Sequence, residues 1–444
     1  QINPWPYQQT MLDELQVSRD VHGHHENLVV AATGTGKTVL AAFDYKRQIS
    51  TGGRYPKLLF VAHTKEILKQ ARRTFREVLG DASFGEMLVD GEKPKTWDHV
   101  FASIQSLKSK LTEFSRDQFE FVIVDEFHHA EAPSYKRLLG ALNPMELLGL
   151  TATPERGDDK SVQDLFGGRI ASELRLWDAL DQELLAPFHY FGIHEDTDYS
   201  HLDWSNGSYD RTQLSQLVTG NTVRDKLVLD QINRMVLNPK TMKCLVYCVS
   251  EQHSEYIAGL FSKHGIETVS VTQSTKPEVR ADAVRNLSNG RIQAISSVNV
   301  FNEGLDIPSV DTIVMLRPTE SPVVFIQQLG RGLRKSPGKE EVLVLDFVGA
   351  HRAEYRLDRK LQAMTGVPRG KLPKAIEDGF PFLPSGVFIS LDRLSTEQVL
   401  AGVKAQVNPP RQKLLKEIAE IGSTSLETFL ELSGRELSEV YRLP

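Results

Sequence analysis

Two parallel-sheet lobes in tandem, followed by a mainly helical C-terminal region, are what this 444-residue sequence predicts. The fold class is α/β, doubly wound in each lobe, with boundaries expected at 1–185, 186–350 and 351–444. Three observations carry that expectation. Short apolar runs alternate with amphipathic stretches long enough for helices, as in buried parallel strands joined by crossover helices. The runs end in polar residues, which is where such sheets build their sites. The alternation occurs twice, and only the first copy contains a glycine-rich loop.

The chain opens on Pro4-Trp5-Pro6-Tyr7-Gln8-Gln9-Thr10-Met11-Leu12, where a proline pair starts a short helix. The loop after it contains His22, His24 and His25. Nothing nearby supplies a second ligand group, so these three read as solvated and not as a metal site. Leu28-Val29-Val30 then reads as a buried strand and Val39–Phe43 as the first turn of a helix. Between them lies Ala31-Ala32-Thr33-Gly34-Thr35-Gly36-Lys37-Thr38. A glycine loop between strand and helix, closed by Lys and Thr, is the context of a phosphate-binding P-loop. Gly34 and Gly36 let backbone N–H groups curl around an anion, and the helix N-terminus adds its positive end. Lys37 is a point charge for the β- and γ-phosphates, and the Thr38 hydroxyl is placed to ligate Mg²⁺. Ala31 stands where the full pattern has its first glycine. A nucleoside triphosphate site is expected here.

Further strands follow at Lys57–Ala62, Val100–Ala102, Phe121–Val124 and Leu147–Leu150, with a helix from about Lys65 to Leu79. The third of these runs into Asp125-Glu126-Phe127-His128-His129, the fourth into Thr151-Ala152-Thr153-Pro154. Asp125 can hold magnesium through water, and Glu126 can orient or deprotonate an attacking water. His128 either couples this pair to Thr151–Thr153 or packs. From about Ala186 the texture changes, and Glu195 to Asn221, rich in Asp, Ser, Asn and Gly, reads as a linker. The second series of strands is Cys244–Val249, Thr268–Val271, Ala294–Ser297, Thr312–Leu316 and Val342–Leu345, with helices at Glu251–His264 and Pro277–Asn289. After about Ala350 the chain reads as helical, is punctuated by prolines around Gly379–Pro384, and ends in helical stretches at Arg411–Ile421 and Ser425–Tyr441. Arg352, Arg356, Arg359 and Lys360 share one helical face. That face is either solvated and balanced by Glu354 and Asp358, or tracks a phosphate backbone.

Composition narrows the classes. At 40% hydrophobic and 25% charged the chain is ordinary for a globular protein. No run approaches the ~18 apolar residues of a membrane span. No charged-then-apolar leader follows Gln1, so a cytoplasmic protein is expected, associated with the nucleoid when active. The two cysteines, Cys244 and Cys248, share one apolar run and read as small buried hydrophobes. A net charge of −6 requires any nucleic-acid surface to be a local basic groove.

In the second lobe, Gln327-Gln328-Leu329-Gly330-Arg331-Gly332-Leu333-Arg334 sets Arg331 and Arg334 three apart, on one helical face. Arginines supplied from another element stabilise the charge that spreads over the γ-phosphate oxygens during transfer. Their alternative is to bind acids of their own lobe, Asp306 or Asp346. Asn302–Pro308, just upstream, is a tight loop in which Gly304 precedes Asp306, an acid able to bond a ribose hydroxyl.

In order and spacing, these motifs resemble superfamily 2 helicases and nucleic-acid translocases over roughly residues 1 to 350. Gln8 resembles the adenine-reading glutamine and residues 31–38 resemble motif I. His63-Thr64 and Ser103-Ile104-Gln105-Ser106 are similar to motifs Ia and Ib, Asp125–His128 to motif II and Thr151–Thr153 to motif III. Tyr247–Ser250, Ser297–Pro308 and Gln327–Arg334 are similar to motifs IV, V and VI. The resemblance implies two RecA-like lobes with ATP and Mg²⁺ in the cleft between them. It implies a nucleic-acid strand held mainly through phosphates, by His63, Thr64, Ser103, Gln105, Ser106, Ser250, Ser297 and Asn299. DNA is the partner it favours, single-stranded or at a junction; strand separation, double-strand translocation without it, and action on RNA stay open. Glu303–Pro308, Leu316–Ser321 and Gln327–Gly332 resemble more closely a bacterial subgroup whose core often follows a phospholipase-D-like nuclease domain. The tail of that subgroup resembles Gly379 to Arg393 here. The resemblance does not include the nuclease part, which is expected in the same or a longer chain. Three departures stand out. Trp5 replaces the usual Arg and either stacks on adenine or packs, Asn299 replaces a common Asp, and Phe127 replaces Cys or Ala.

Overall fold

The structure, a computed structural model, describes residues 2–49, 53–111, 113–126, 132–152, 166–205, 208–298, 307–319, 321–351, 355, 357–407, 426 and 430. The chain forms two compact units, the first mainly residues 1–176 and the second mainly 177–444.

The first unit contains α1 (Pro6–Asp20), β1 (Glu26–Ala31), α2 (Lys37–Arg47), β2 (Leu58–Ala62), α3 (Lys65–Leu79), β3 (Glu86–Leu88), β4 (His99–Ser103), α4 (Ile104–Lys108), β5 (Phe121–Asp125), α5 (Ala132–Ala141), β6 (Glu146–Thr151) and β7 (Ile170–Leu174). Its sheet runs β3-β4-β2-β5-β6-β1-β7, every pairing parallel. Such a sheet is covered on both faces, which is why the strands read as unbroken apolar runs. On one face Leu28, Val61, Val100 and Val124 pack with Tyr135 and Leu138 of α5. The other is an aromatic cluster, in which Phe101 stacks on Phe60 at 5.5 Å and meets Phe75 edge-on at 5.4 Å. Helix α1 is longer than its sequence promised because Met11, Leu12 and Leu15 continue its buried face. In α3, Leu68, Ala71, Phe75 and Val78 recur at helical spacing; Thr64 caps its start and Gly80, at φ 73°, its end. The edge strands β3 and β7 escape sequence reading, since one is three residues long and the other is only partly buried.

The second unit contains α6 (Leu176–Asp181, beginning at the boundary), β8 (Phe188–Asp198), the short hairpin β9 (Trp204–Ser205) and β10 (Ser208–Tyr209), α7 (Arg211–Val218), α8 (Thr222–Met235), β11 (Cys244–Tyr247), α9 (Glu251–Lys263), β12 (Thr268–Val271), α10 (Pro277–Ser288), β13 (Ala294–Ser297), β14 (Thr312–Met315), α11 (Pro322–Gly332), β15 (Val342–Ala350), α12 (Leu357–Thr365), α13 (Leu372–Glu377), β16 (Phe388–Leu391) and α14 (Arg393–Val407). Its sheet runs β12-β13-β11-β14-β15-β8-β16, again all parallel. Here the linker expectation needs correction: β8 is an interior strand of this sheet. Its polar residues disguise it. Glu195 is buried and paired with Arg224 at 2.5 Å, and Tyr199 donates to the same carboxylate. The rest of the expected linker holds the hairpin and α7, which Asp210 caps. The C-terminal region is mainly helical where described, and contributes β16 to the edge of the sheet beside β8. The expected helices at 411–421 and 425–441 lie almost wholly outside the described residues. No helix among the described residues is long and apolar enough to cross a membrane.

Candidate nucleotide site and nucleic-acid face

Strand order in the first unit sets β5, β6 and β1 side by side, so the residues that follow them share one edge. After β1, Ala32 donates to the Leu174 carbonyl at 2.9 Å. Thr35 turns back on Ala32 through its amide at 3.2 Å and its hydroxyl at 2.7 Å. Gly34 and Gly36 stand at φ 94° and 78°, left-handed angles that favour glycine. Gly36 is also the residue that starts α2, and a Cβ there would lie 2.8 Å from Gln8 Nε2. The amides of the first turn of α2 have no partners within that helix. Thr33 Oγ1 is buried and has no hydrogen-bond partner among the described residues. A glycine cradle, helix-start amides and an orphan hydroxyl fit a polyphosphate.

The loop is braced from α1. Tyr7 donates its hydroxyl to the Thr35 carbonyl at 2.7 Å. Gln8, only 2% exposed, gives Nε2 to the same carbonyl at 3.3 Å, and its Oε1 accepts from the Trp5 amide at 3.0 Å. Sequence reading missed the role of Tyr7, although its place beside Gln8 was the available signal. Trp5 itself is 66% exposed, so the packing alternative for its indole is not what the structure shows.

Asp125 ends β5 and is buried. Glu126 follows at φ 48°, an angle that costs a non-glycine residue ~1–3 kcal/mol. Its amide donates to the Leu150 carbonyl at 3.0 Å, beside Thr151 at the end of β6. The Glu126 carboxylate forms an ion pair with the Lys37 ammonium, both side chains largely buried. Thr38 follows Lys37 in the first turn of α2. Thus Lys37, Thr38, Asp125, Glu126 and Thr151, far apart in sequence, share one sheet edge. Phe127, His128 and Thr153 lie outside the described residues.

The expected nucleic-acid residues of this unit gather at the ends of β2 and β4, which are paired neighbours. Gln105 Nε2 and His63 Nδ1 stand 3.5 Å apart. Thr64 accepts from the Ile67 amide at 3.3 Å, and Ser103 accepts from the Ser106 amide at 3.1 Å while donating to the Ser106 hydroxyl at 2.9 Å. In the second unit, Ser250 and Ser297 follow or end the neighbouring strands β11 and β13. Ser250 caps α9 through the His253 amide at 3.1 Å and meets the Ser215 hydroxyl at 2.6 Å. Ser297 is buried, and its hydroxyl has no partner among the described residues. His253 is buried behind this pair, accepting from the Val249 amide at 3.2 Å. Burial, aided by the charge of Arg224, pulls its pKa down to about 3 and keeps it neutral. Asn299, Gly304 and Asp306 lie outside the described residues.

Two charged arrangements differ from expectation. Arg331 sits in the last turn of α11, but the helix ends at Gly332 and Arg334 lies beyond it, so the two do not share a helical face. The end is fixed from outside the helix. The Gly332 carbonyl accepts from Lys339 Nζ at 2.8 Å and the Leu333 carbonyl from the Ala186 amide at 2.7 Å. The second difference concerns Lys360, which is 5% exposed and ion-paired with Asp346, an acid that also accepts from Tyr190 at 2.5 Å. Asp358 is likewise buried, paired with Arg369 at 2.7 Å. Neither lies on a solvated or phosphate-tracking face, because each is buried in an ion pair; Arg359, between them, is half-buried. Arg352 and Arg356 lie outside the described residues.

Fold and sheet edge together define a P-loop protein of the α/β class, built from two RecA-like lobes. Residues 1–156 match the family described as type III restriction enzyme, res subunit, and residues 227–336 match the helicase conserved C-terminal domain. The chain is a member of superfamily 2 of the helicases. It is 27% identical over 360 residues to the Saccharomyces cerevisiae protein provisionally named ATP-dependent helicase IRC3, covering 78% of this chain and 51% of that one. It is 24% identical over 372 residues to DNA 3'-5' translocase XPB2 of Sulfurisphaera tokodaii, covering 75% and 80%. The solved structure of the ATP-dependent type ISP restriction-modification enzyme LlaBIII bound to DNA matches with a TM-score of 0.64 at 16% identity, covering 90% of this chain and 32% of that one. The chain therefore spans about half the length of the yeast relative and a third of LlaBIII.

Proposed function

We propose that this protein is an ATP-dependent helicase or translocase acting on DNA. The observation that carries the reading is the ion pair of Lys37 with Glu126, beside Asp125, at the mouth of the P-loop. In this reading Thr33, Gly34, Thr35, Gly36, Lys37 and Thr38 hold the triphosphate, and Gln8 with Trp5 stands beside the base. The γ-phosphate competes with Glu126 for the Lys37 ammonium. Once displaced, the Glu126 carboxylate takes a proton from water as that water attacks the γ-phosphorus and the bond to the bridging oxygen breaks, leaving ADP. Thr38 and Asp125 supply oxygen donors for magnesium, which when bound neutralises phosphate charge. In the same reading Arg331 and Arg334 act on the γ-phosphate, and Gly304 and Asp306 bind the ribose.

DNA is favoured because the Sulfurisphaera tokodaii relative is named a DNA translocase and LlaBIII was solved on DNA. The first of these names supports a second reading, translocation along duplex DNA without strand separation. The test is phosphate release measured with single-stranded, double-stranded and forked DNA and with RNA, alongside strand-displacement and triplex-displacement assays. Stimulation by DNA with strand displacement supports the helicase reading. Triplex displacement alone supports translocation, and no hydrolysis under any condition would reduce the protein to a nucleotide-dependent clamp.

A further inference from the structure

Beyond β3 the chain makes a loop, residues 89–96, that serves none of the roles above. Strands β3, β4 and β2 are consecutive and parallel, so their C-terminal ends lie side by side along one edge. With ~4.8 Å between strands, the loop lies about 10 Å along that edge from His63 and Thr64. It is pinned on both sides. The Glu92 amide closes a tight turn onto the Val89 carbonyl at 3.0 Å, with Asp90 and Gly91 left-handed at φ 51° and 84°. Glu92 pairs with Lys65 at 2.9 Å, and Asp90 lies 3.7 Å from the same ammonium, which ties the loop to the residue after Thr64. That hydrogen bond from Lys65 holds the Glu92 carboxyl below its ordinary range. On the other side Glu86 accepts from the amides of Lys95 and Thr96 at 2.8 and 2.9 Å and from the Thr96 hydroxyl at 2.8 Å.

The loop's acids are thus engaged within the protein, while its lysines are not. Pro94 is buried, and Lys93 and Lys95 on either side of it are exposed. Neither has an ion-pair partner among the described residues. A fixed loop that holds two exposed ammonium groups with no ion-pair partner among the described residues, its own carboxylates being taken by Lys65 and by backbone amides, offers point charges of the kind a phosphate backbone meets.

We propose that Lys93 and Lys95 form a phosphate-binding site for a DNA strand, extending past β4 to the end of β3 the track expected after β2 and β4. The inference rests on the nucleic-acid reading above and adds to it two residues that lie in none of the recognised motifs. Because the loop is pinned, little side-chain and backbone freedom remains to be lost on binding apart from that of the two lysines.

The test is the salt dependence of binding by the full chain, read from the anisotropy of a labelled oligo-dT strand. Each phosphate neutralised on a single strand contributes about 0.7 to the slope of log K against log salt, so Lys93→Ala with Lys95→Ala should lower that slope by about 1.4. Lys93→Arg with Lys95→Arg should retain it, and hydrolysis without DNA should be unchanged in both. Weaker binding of the alanine variant at an unaltered slope overturns the proposal, as does a slope equal to wild type with equal affinity. A wild-type chain that does not bind the strand at all refutes the nucleic-acid reading itself, and this inference with it.

Discussion

Lys37 and Glu126 face each other across an ion pair although 89 residues separate them. That pairing gives the two residues different expected phenotypes. Lys37→Ala removes a ground-state and transition-state contact, so nucleotide binding should weaken and turnover vanish. Glu126→Gln leaves the phosphate contacts intact and frees Lys37 from a competing carboxylate. It should bind a non-hydrolysable ATP analogue at least as tightly as wild type while hydrolysing ATP hardly at all. Calorimetric affinity beside phosphate release checks both, and near-normal hydrolysis by Glu126→Gln removes that residue from its assigned role. The residue types of the P-loop and the acid pair were legible in sequence because phosphate chemistry demands them as contiguous strings. The ion pair between them was not, since it depends on the order of strands in the sheet. Lys360 and Asp358 were misread for a related reason: a charge that pairs inward and one that faces water look alike in sequence.

At the scale of elements, the first unit is tied together by a buried cation. Arg19 of α1 holds Asp44 of α2 through two hydrogen bonds, 2.6 and 2.7 Å, and Glu146 of β6 at 2.7 Å, and Glu146 also meets His25. Removing one partner leaves the others charged and buried, so Arg19→Ala should destabilise this unit by ~3–5 kcal/mol, measured by urea unfolding followed with a probe in that unit. A change below about 1 kcal/mol would show the network to be replaceable by water. The strands of both sheets were legible wherever both faces are apolar. The edge strands β3, β7 and β16 were not, and nor was the interior strand β8, whose Glu195 and Thr197 are buried. A linker's composition and a strand with internally paired polar groups differ only in what those groups meet.

Across the whole molecule, histidines shielded from water set part of the response to acid. His253, buried, and His351, half-buried, both in the second unit, are pulled down to about 3, His253 by burial and Arg224, His351 by the burial of its ring and Lys360. Unfolding frees each to its ordinary value near 6.5. Above pH 6.5 both states are neutral and neither histidine affects stability. As pH falls below 6.5 the unfolded chain takes up protons that the folded chain refuses, so stability is lost progressively down to about pH 3. By pH 5 the loss is ~2 kcal/mol per histidine. Melting followed at pH 7 and pH 5 should show it, and His253→Gln should be less sensitive to the change than wild type; equal sensitivity would remove His253 as a cause.

The central claim is that a nucleotide held by the first unit is hydrolysed with arginines from the second. An arginine supplied in this way contributes about 10³-fold or more to rate. The direct measurement is DNA-stimulated phosphate release by the full chain and by Arg334→Ala, with the affinity of each for a non-hydrolysable ATP analogue determined in parallel. The account predicts stimulated hydrolysis lowered by roughly 10³-fold while affinity changes no more than about threefold. Stimulated hydrolysis by Arg334→Ala at the wild-type rate would contradict it.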